Sequence, residues 1–261
     1  MAAQHLLEGK SAGSAELRFR LARASLDYLQ GAVQNPHFCE NHLEAILSNP
    51  ALPTGLIQGI ASQKQWLARY EVKRAIVSHR NTALALKMNL LHFLGWRDLA
   101  RVEEDPQQQP PVKRAAETLL KKRVEEMAVG EKVSLARIAG PGVLPVLRDD
   151  FHPDVIAALL TNPRLAEDEV LAICGDERAL PAALSAVAAS SRWSGRQTIR
   201  MTLLRNAATP AQVSLGFLDS LSGSEIREIL ALPTTPRLVR VTARQLLRAR
   251  ESTVDRKKVV S

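Results

Sequence analysis

The string PHFCENH (36–42) gathers the side chains best suited to metal chemistry, because His37, Cys39 and His42 stand almost side by side. Zinc needs three or four such ligands in defined geometry. Here His42 falls on a helical stretch beside the apolar Leu43, and no second cluster completes the set. The related stretch DDFHPDV (149–155) carries one histidine and no cysteine. A structural or surface role without metal is therefore expected. The acidic groups Glu103-Glu104-Asp105, Asp149-Asp150 and Glu167-Asp168-Glu169 are the other places where acid–base chemistry could arise. Paired carboxylates catalyse only where a dry pocket separates their pKa values. These groups sit at helix ends or in linkers, where solvated carboxylates are inexpensive. AGPGVLP (139–145) is glycine-rich but lacks the Lys-Ser/Thr of a phosphate loop and follows no strand, so it reads as a helix breaker. Serine and histidine form no nucleophile elbow or triad order. The residues predict neither an enzyme nor a cofactor.

Basic side chains are more regular. Arg237, Arg240, Arg244 and Arg248 recur at i, i+3, i+7 and i+11, lining one edge of a helix whose apolar face is Val239, Ala243, Leu246 and Leu247. Arg69 and Lys73 repeat as Arg196 and Arg200. Such ridges could neutralise the phosphates of an acidic partner. Arginine is also a good helix former whose stem covers apolar surface. Aromatics are only 4% of the chain, which argues against a platform that stacks single-stranded bases. Trp66 and Trp193 occupy matching positions and read as packing residues. Trp96, whose counterpart is Gly223, is the aromatic expected to face a partner.

The elements that carry these residues are helical. Ala, Leu, Arg and Glu abound and alternating strand-like runs are scarce. Val72, Ala75, Ile76 and His79 keep helical spacing, as do Leu86, Leu90, Leu91 and Leu94. Helices this short are marginal alone and must stack on neighbours. The chain is also written twice. At an offset of 127, WLARYEVKRAIV (66–77) falls on WSGRQTIRMTLL (193–204), and the register runs on to pair Thr82 with Thr209, Leu91 with Leu218 and Arg123 with Arg250. At an offset of 113, AILSNPALP (45–53) falls on ALLTNPRLA (158–166). The two offsets differ by an insertion near CGDERALPAALSAV (174–187).

Asn49-Pro50 and Asn162-Pro163 predict corners between antiparallel helices. A residue before proline avoids the helical region, and proline cannot continue a helix. Asparagine is expected to supply a left-handed stop. The resulting organisation is an N-terminal segment (1–20), two helical-repeat halves (21–130 and 131–250) and a disordered basic tail (251–261).

Short helices, proline corners and self-similarity over about 21–250 resemble the HEAT and armadillo class of helical repeats. That resemblance implies an all-α superhelical solenoid whose surface binds something. The leading expectation is a non-enzymatic adaptor for a protein or peptide. The alternative is sequence-independent nucleic-acid binding through the basic ridges, in keeping with a formal charge of +8. A HEAT-like DNA glycosylase is similar in size and charge alone, with no motif matched. Cys39 and Cys174 lie outside any CxxC pair, and no run approaches a membrane span, so a cytoplasmic protein is expected.

Overall fold

The computed structural model describes residues 2–233 and 235–259, and the side chains of 3–233 and 235–251. Among the described residues every regular element is helical. The chain divides into two compact units, Met1–Arg123 and Val124–Ser261. The first holds α1 (Ala2–Ser11), α2 (Ser14–Arg20), α3 (Leu26–Val33), α4 (Leu43–Leu47), α5 (Thr54–Ser62), α6 (Lys64–Leu67), α7 (Tyr70–Ser78), α8 (Leu84–Leu91), α9 (Trp96–Glu104) and α10 (Pro110–Val124). The second holds α11 (Val129–Ala136), α12 (Leu144–Arg148), α13 (Pro153–Leu160), α14 (Glu167–Gly175), α15 (Pro181–Ala189), α16 (Gln197–Arg205), α17 (Ala211–Leu218), α18 (Gly223–Ala231) and α19 (Arg237–Val259).

Three boundaries differ from those read in the sequence. The segment read as 1–20 carries α1 and α2, whose described residues belong to the first unit, with α1 packed along α3. The division falls at the end of α10 instead of between 130 and 131. The Arg123 guanidinium ties that helix end to the carbonyls of Leu94 and His92. Helix α19 continues to Val259 through most of the segment read as a disordered tail, while Val260 and Ser261 lie outside the described residues.

Local chemistry sets the helix starts. Glu167, Asp168 and Glu169 fill the first turn of α14, where carboxylates meet the positive helix end. Pro153 and Pro181 open α13 and α15, where a missing N–H costs nothing. Ser222 and Glu225 close a capping box on α18. The helix bounds obey the sequence offsets. Adding 127 to the ends of α7, α8 and α9 gives the ends of α16, α17 and α18, and adding 113 to α5 gives α14. The insertion corresponds to α15, a nine-residue helix where the first unit has only the four-residue α6.

Within each unit helices pack mainly on elements one to three places away in the chain. Thus α13 lies on α11 and α15, α14 on α12 and α16, and α7 on α4, α8 and α9. One cluster in the second unit buries Met201, Leu204, Leu218, Leu221, Ile226, Ile229, Val239 and Ala243. At minus 127 the first unit buries Val77, Leu91, Leu94, Leu99, Val102, Val112 and Ala116. The exception is Arg74, exposed at the position of Met201.

The asparagine corners work by a mechanism other than the one expected. The only described non-glycine residue with a positive φ is Phe151, so none of the asparagines is left-handed. Instead Asn35, Asn49, Asn162 and Asn206 each accept, through Oδ1, the N–H two residues on, at 2.8–2.9 Å. Each Nδ2 then donates to two carbonyls of an earlier corner. Asn49 reaches Leu21 and Ala24, and Asn162 reaches Ala136 and Ala139. Asn35 reaches Gly9 and Ala12, and Asn206 reaches Cys174 and Asp176. His79 does the same with an imidazole. Its Nδ1 accepts from the Asn81 N–H, so Nε2 carries the proton donated to the Asn49 carbonyl at 2.8 Å. Each corner therefore satisfies the helix-end carbonyls left by the previous one, groups that are costly to bury unpaired.

Gln108 plays this part in the connection 105–109 between α9 and α10, donating to the Val77 and Ser78 carbonyls. Its Oε1 accepts from Lys87, a fully buried side chain whose Nζ lies 2.7 Å away. Burial holds the Lys87 ammonium below the ordinary lysine range, with Asp105 acting weakly in the opposite sense. The unfolded chain thus binds a proton more readily than the folded one, and stability rises as pH climbs from the folded-state pKa toward 10.5. We expect Lys87→Met to flatten that rise. Urea midpoints measured over this alkaline range test it, and an unchanged slope in the variant rules the lysine out as its source.

Candidate binding groove

Helix α7 begins at Tyr70, after Arg69 in extended conformation, and buries Val72, Ile76 and Val77. The 3.6-residue turn leaves Glu71, Arg74, Ala75 and Ser78 beside that stripe, lining a groove with α4 and α9. One section, about 550 Å³, is lined by Arg18, Leu43, Glu44, Leu47, Arg69 and Arg74 among others. The adjoining section, about 440 Å³, shares Glu44, Leu47, Arg74 and Ala75 and extends to Arg80, Asp98 and Arg101. Leu43, Leu47 and Val72 are buried and form the apolar floor.

The rim is electrostatically mixed. Arg69 pairs with Glu40 at 3.4 Å and Arg101 with Asp98 at 3.0 Å. The Tyr70 hydroxyl donates to Asp98 and accepts from the Gly95 N–H, bridging α7 to the start of α9. Burial, followed by the Asp98 contact, raises the Tyr70 pKa, so the phenol keeps its proton. Arg74 is exposed at the junction of the two sections.

The second unit has a groove on the equivalent helix. Leu171, Met201, Thr202 and Arg205 line it with Glu225 and Glu228 of α18, and a second section takes in Gly175 and Glu177. At the 127 offset Asp98 becomes Glu225, Arg101 becomes Glu228 and Arg74 becomes Met201.

No protein-family model, curated protein or solved structure matches this chain.

The sequence-derived basic residues differ in what they meet. Arg69 is held by Glu40, and Lys73 lies 4.9 Å from the Phe93 ring centroid while donating to the Ala68 carbonyl. Arg196 pairs with Glu167 and stacks over Trp193. Arg200 donates to Ser220 at 2.8 Å and to the Gly195 carbonyl. Arg240 turns to the carbonyls of Leu232, Pro233 and Thr235. Arg237, Arg244 and Arg248 remain exposed on α19.

Much of the positive charge serves helix ends. Arg80 donates twice to the Pro50 carbonyl, Arg192 to Asn162, Pro163 and Leu165, and Arg250 to Leu221 and Asp219. Carbonyls at a helix C-terminus carry partial negative charge and attract cations. Trp96 is half-buried with the Arg97 guanidinium 4.7 Å from its ring, whereas Phe19 and Phe93 are the prominently exposed aromatics, at 84% and 59%. Trp193 is buried and donates to the Leu160 carbonyl at 3.2 Å, and Trp66 packs edge-on against Phe38.

His42 is also committed to structure. Its Nδ1 accepts the Cys39 N–H at 3.1 Å, and its Nε2 lies 2.9 Å from the Ser14 carbonyl. Among the described residues no group of three His, Cys, Asp or Glu side chains could hold a metal ion. Cys174 is buried, and burial pushes its thiol up to about 12, so it stays protonated. No helix among the described residues is long and apolar enough to cross a membrane.

Sequence reasoning missed Arg74, although a signal existed. In the register that pairs the halves, an arginine replaces a core methionine among positions otherwise apolar in both.

Proposed function

We propose that this chain is a helical-repeat binding module that holds an extended segment of a protein partner along α4, α7 and α9. The observation that carries this reading is the groove centred on Arg74, where an apolar floor lies under side chains of both signs. An extended peptide brings apolar side chains for such a floor and charged groups for such a rim. A phosphate backbone offers one sign only, and Glu40, Glu44 and Glu71 would repel it. The arginines spent on helix-end carbonyls weaken the alternative reading of basic ridges on nucleic acid.

The architecture belonging to this proposal is an α-solenoid of the HEAT and armadillo kind, built from a duplicated unit. Coincident helix ends at the 127 and 113 offsets support the duplication. Packing of helices on elements close to them in the chain supports a stacked arrangement within each unit.

A random peptide library displayed on phage and selected on the full chain tests the reading. Arg74→Glu should weaken the enriched peptides roughly tenfold or more, as loss of a central contact does. Ala75→Trp should block them by filling the groove. Enriched peptides indifferent to both substitutions would overturn the assignment. Random duplex DNA bound with steep salt dependence, insensitive to the same changes, would favour the alternative.

A further inference from the structure

Helix α19 packs on α17 and α18 through a face that includes Val239 and Ala243, both buried. At 3.6 residues per turn, Arg237, Arg244 and Arg248 fall within a narrow line on the opposite face. Among the described side chains none of these three has an ion pair or hydrogen bond, and all are exposed. Val241 lies between Arg237 and Arg244, with Leu238 on the flank, exposed at 46% and 57%. Gln245 and Ala249 are the uncharged residues beside them. The nearest carboxylate along the helix, Glu251, is engaged by Arg227 at 2.8 Å. Among the described side chains the face thus carries cations without a partner and exposed aliphatic groups, with no acid between them.

We infer that this outer face of α19 is a peripheral contact surface for anionic phospholipid headgroups. The inference is independent of the groove. The exposed side of a single helix cannot enclose a peptide but can lie on a flat surface. A fluid bilayer brings headgroups to each arginine, and its interface accepts Leu238 and Val241. A nucleic acid would serve the arginines but leave both aliphatic groups against phosphate and water.

The experiment is co-sedimentation of the full chain with vesicles of phosphatidylcholine alone or mixed with phosphatidylserine, over a salt series. Binding should require phosphatidylserine and fall with salt. Arg244→Gln with Arg248→Gln should lower the partition coefficient about thirtyfold, which is about 2 kcal/mol at 1.4 kcal/mol per tenfold. Leu238→Ser with Val241→Ser should weaken binding by a smaller factor. Circular dichroism of each variant confirms folding, since every substituted side chain is exposed. Absence of binding to phosphatidylserine vesicles overturns the inference, and so does binding indifferent to the arginine changes. Duplex DNA bound through these arginines without vesicle binding would also overturn it, assigning the ridge to nucleic acid.

Discussion

Asn162→Asp should destabilise the second unit by about 3 kcal/mol or more, far beyond what an isosteric exchange would cost elsewhere. Asn162 is fully buried and uses three hydrogen bonds at once. Its Oδ1 accepts from the Arg164 N–H at 2.8 Å, a role aspartate retains. Its Nδ2 donates to the Ala136 and Ala139 carbonyls at 2.8 and 3.0 Å, a role aspartate inverts. An acceptor would then face two buried acceptors, and both carbonyls would lose their partner while shielded from water. Each unsatisfied buried group costs about 1–3 kcal/mol, before any charge penalty is added. The matched control is Asn206→Asp, because Asn206 makes equivalent bonds at a partly exposed corner and water can replace them. Urea denaturation followed by far-ultraviolet circular dichroism and by tryptophan fluorescence measures both. A loss below about 1 kcal/mol at Asn162 would sink the idea that these corners are held by side-chain donors.

A second large effect is expected at the crossing of α1 and α3. A methyl at Gly31 would lie 2.1 Å from the Leu6 carbonyl oxygen, and one at Gly9 would lie 2.3 Å from that of Tyr28. The obstacles are backbone atoms, so no rotamer change relieves the clash. Gly31→Ala should force α1 away from α3 at a cost of about 3 kcal/mol, the upper range for overpacking. The displacement would also break the Asn35 bonds to Gly9 and Ala12, each 2.9 Å long, which anchor the end of α1. Hydrogen exchange should then show α1 amides unprotected while helices of the second unit keep their protection. Gly13→Ala is the control, since a methyl there meets nothing within 4 Å. Wild-type protection of α1 in the Gly31→Ala chain would defeat the prediction.

These predictions concern residues that one sequence describes unequally. Asn49 and Asn162 announce themselves through the repeated Asn-Pro string, but neither takes the left-handed conformation that string suggests. Proline stops the helix. The asparagine side chain then does a long-range task that no local rule contains. Gln108 and Lys87 were invisible for the same reason. One sits in a polar linker and the other inside a helical run, and only their pairing at 2.7 Å explains why both are buried. Arg74 could have been noticed as the odd residue in the aligned core set, yet its place in a groove depends on α4 and α9.

By itself the sequence determined the helical class and the 127 and 113 registers, because each follows from apolar spacing and from proline geometry within a few turns. The tertiary structure alone decided which charges are available to a partner. Arg69, Arg196 and Arg240 look identical to Arg237, Arg244 and Arg248 in one dimension. They differ because the first three meet a carboxylate or a helix-end carbonyl from another element, whereas the last three meet none among the described residues. A side chain's electrostatic fate is set by what folding brings within about 4 Å of it, and spacing along the chain does not encode that distance.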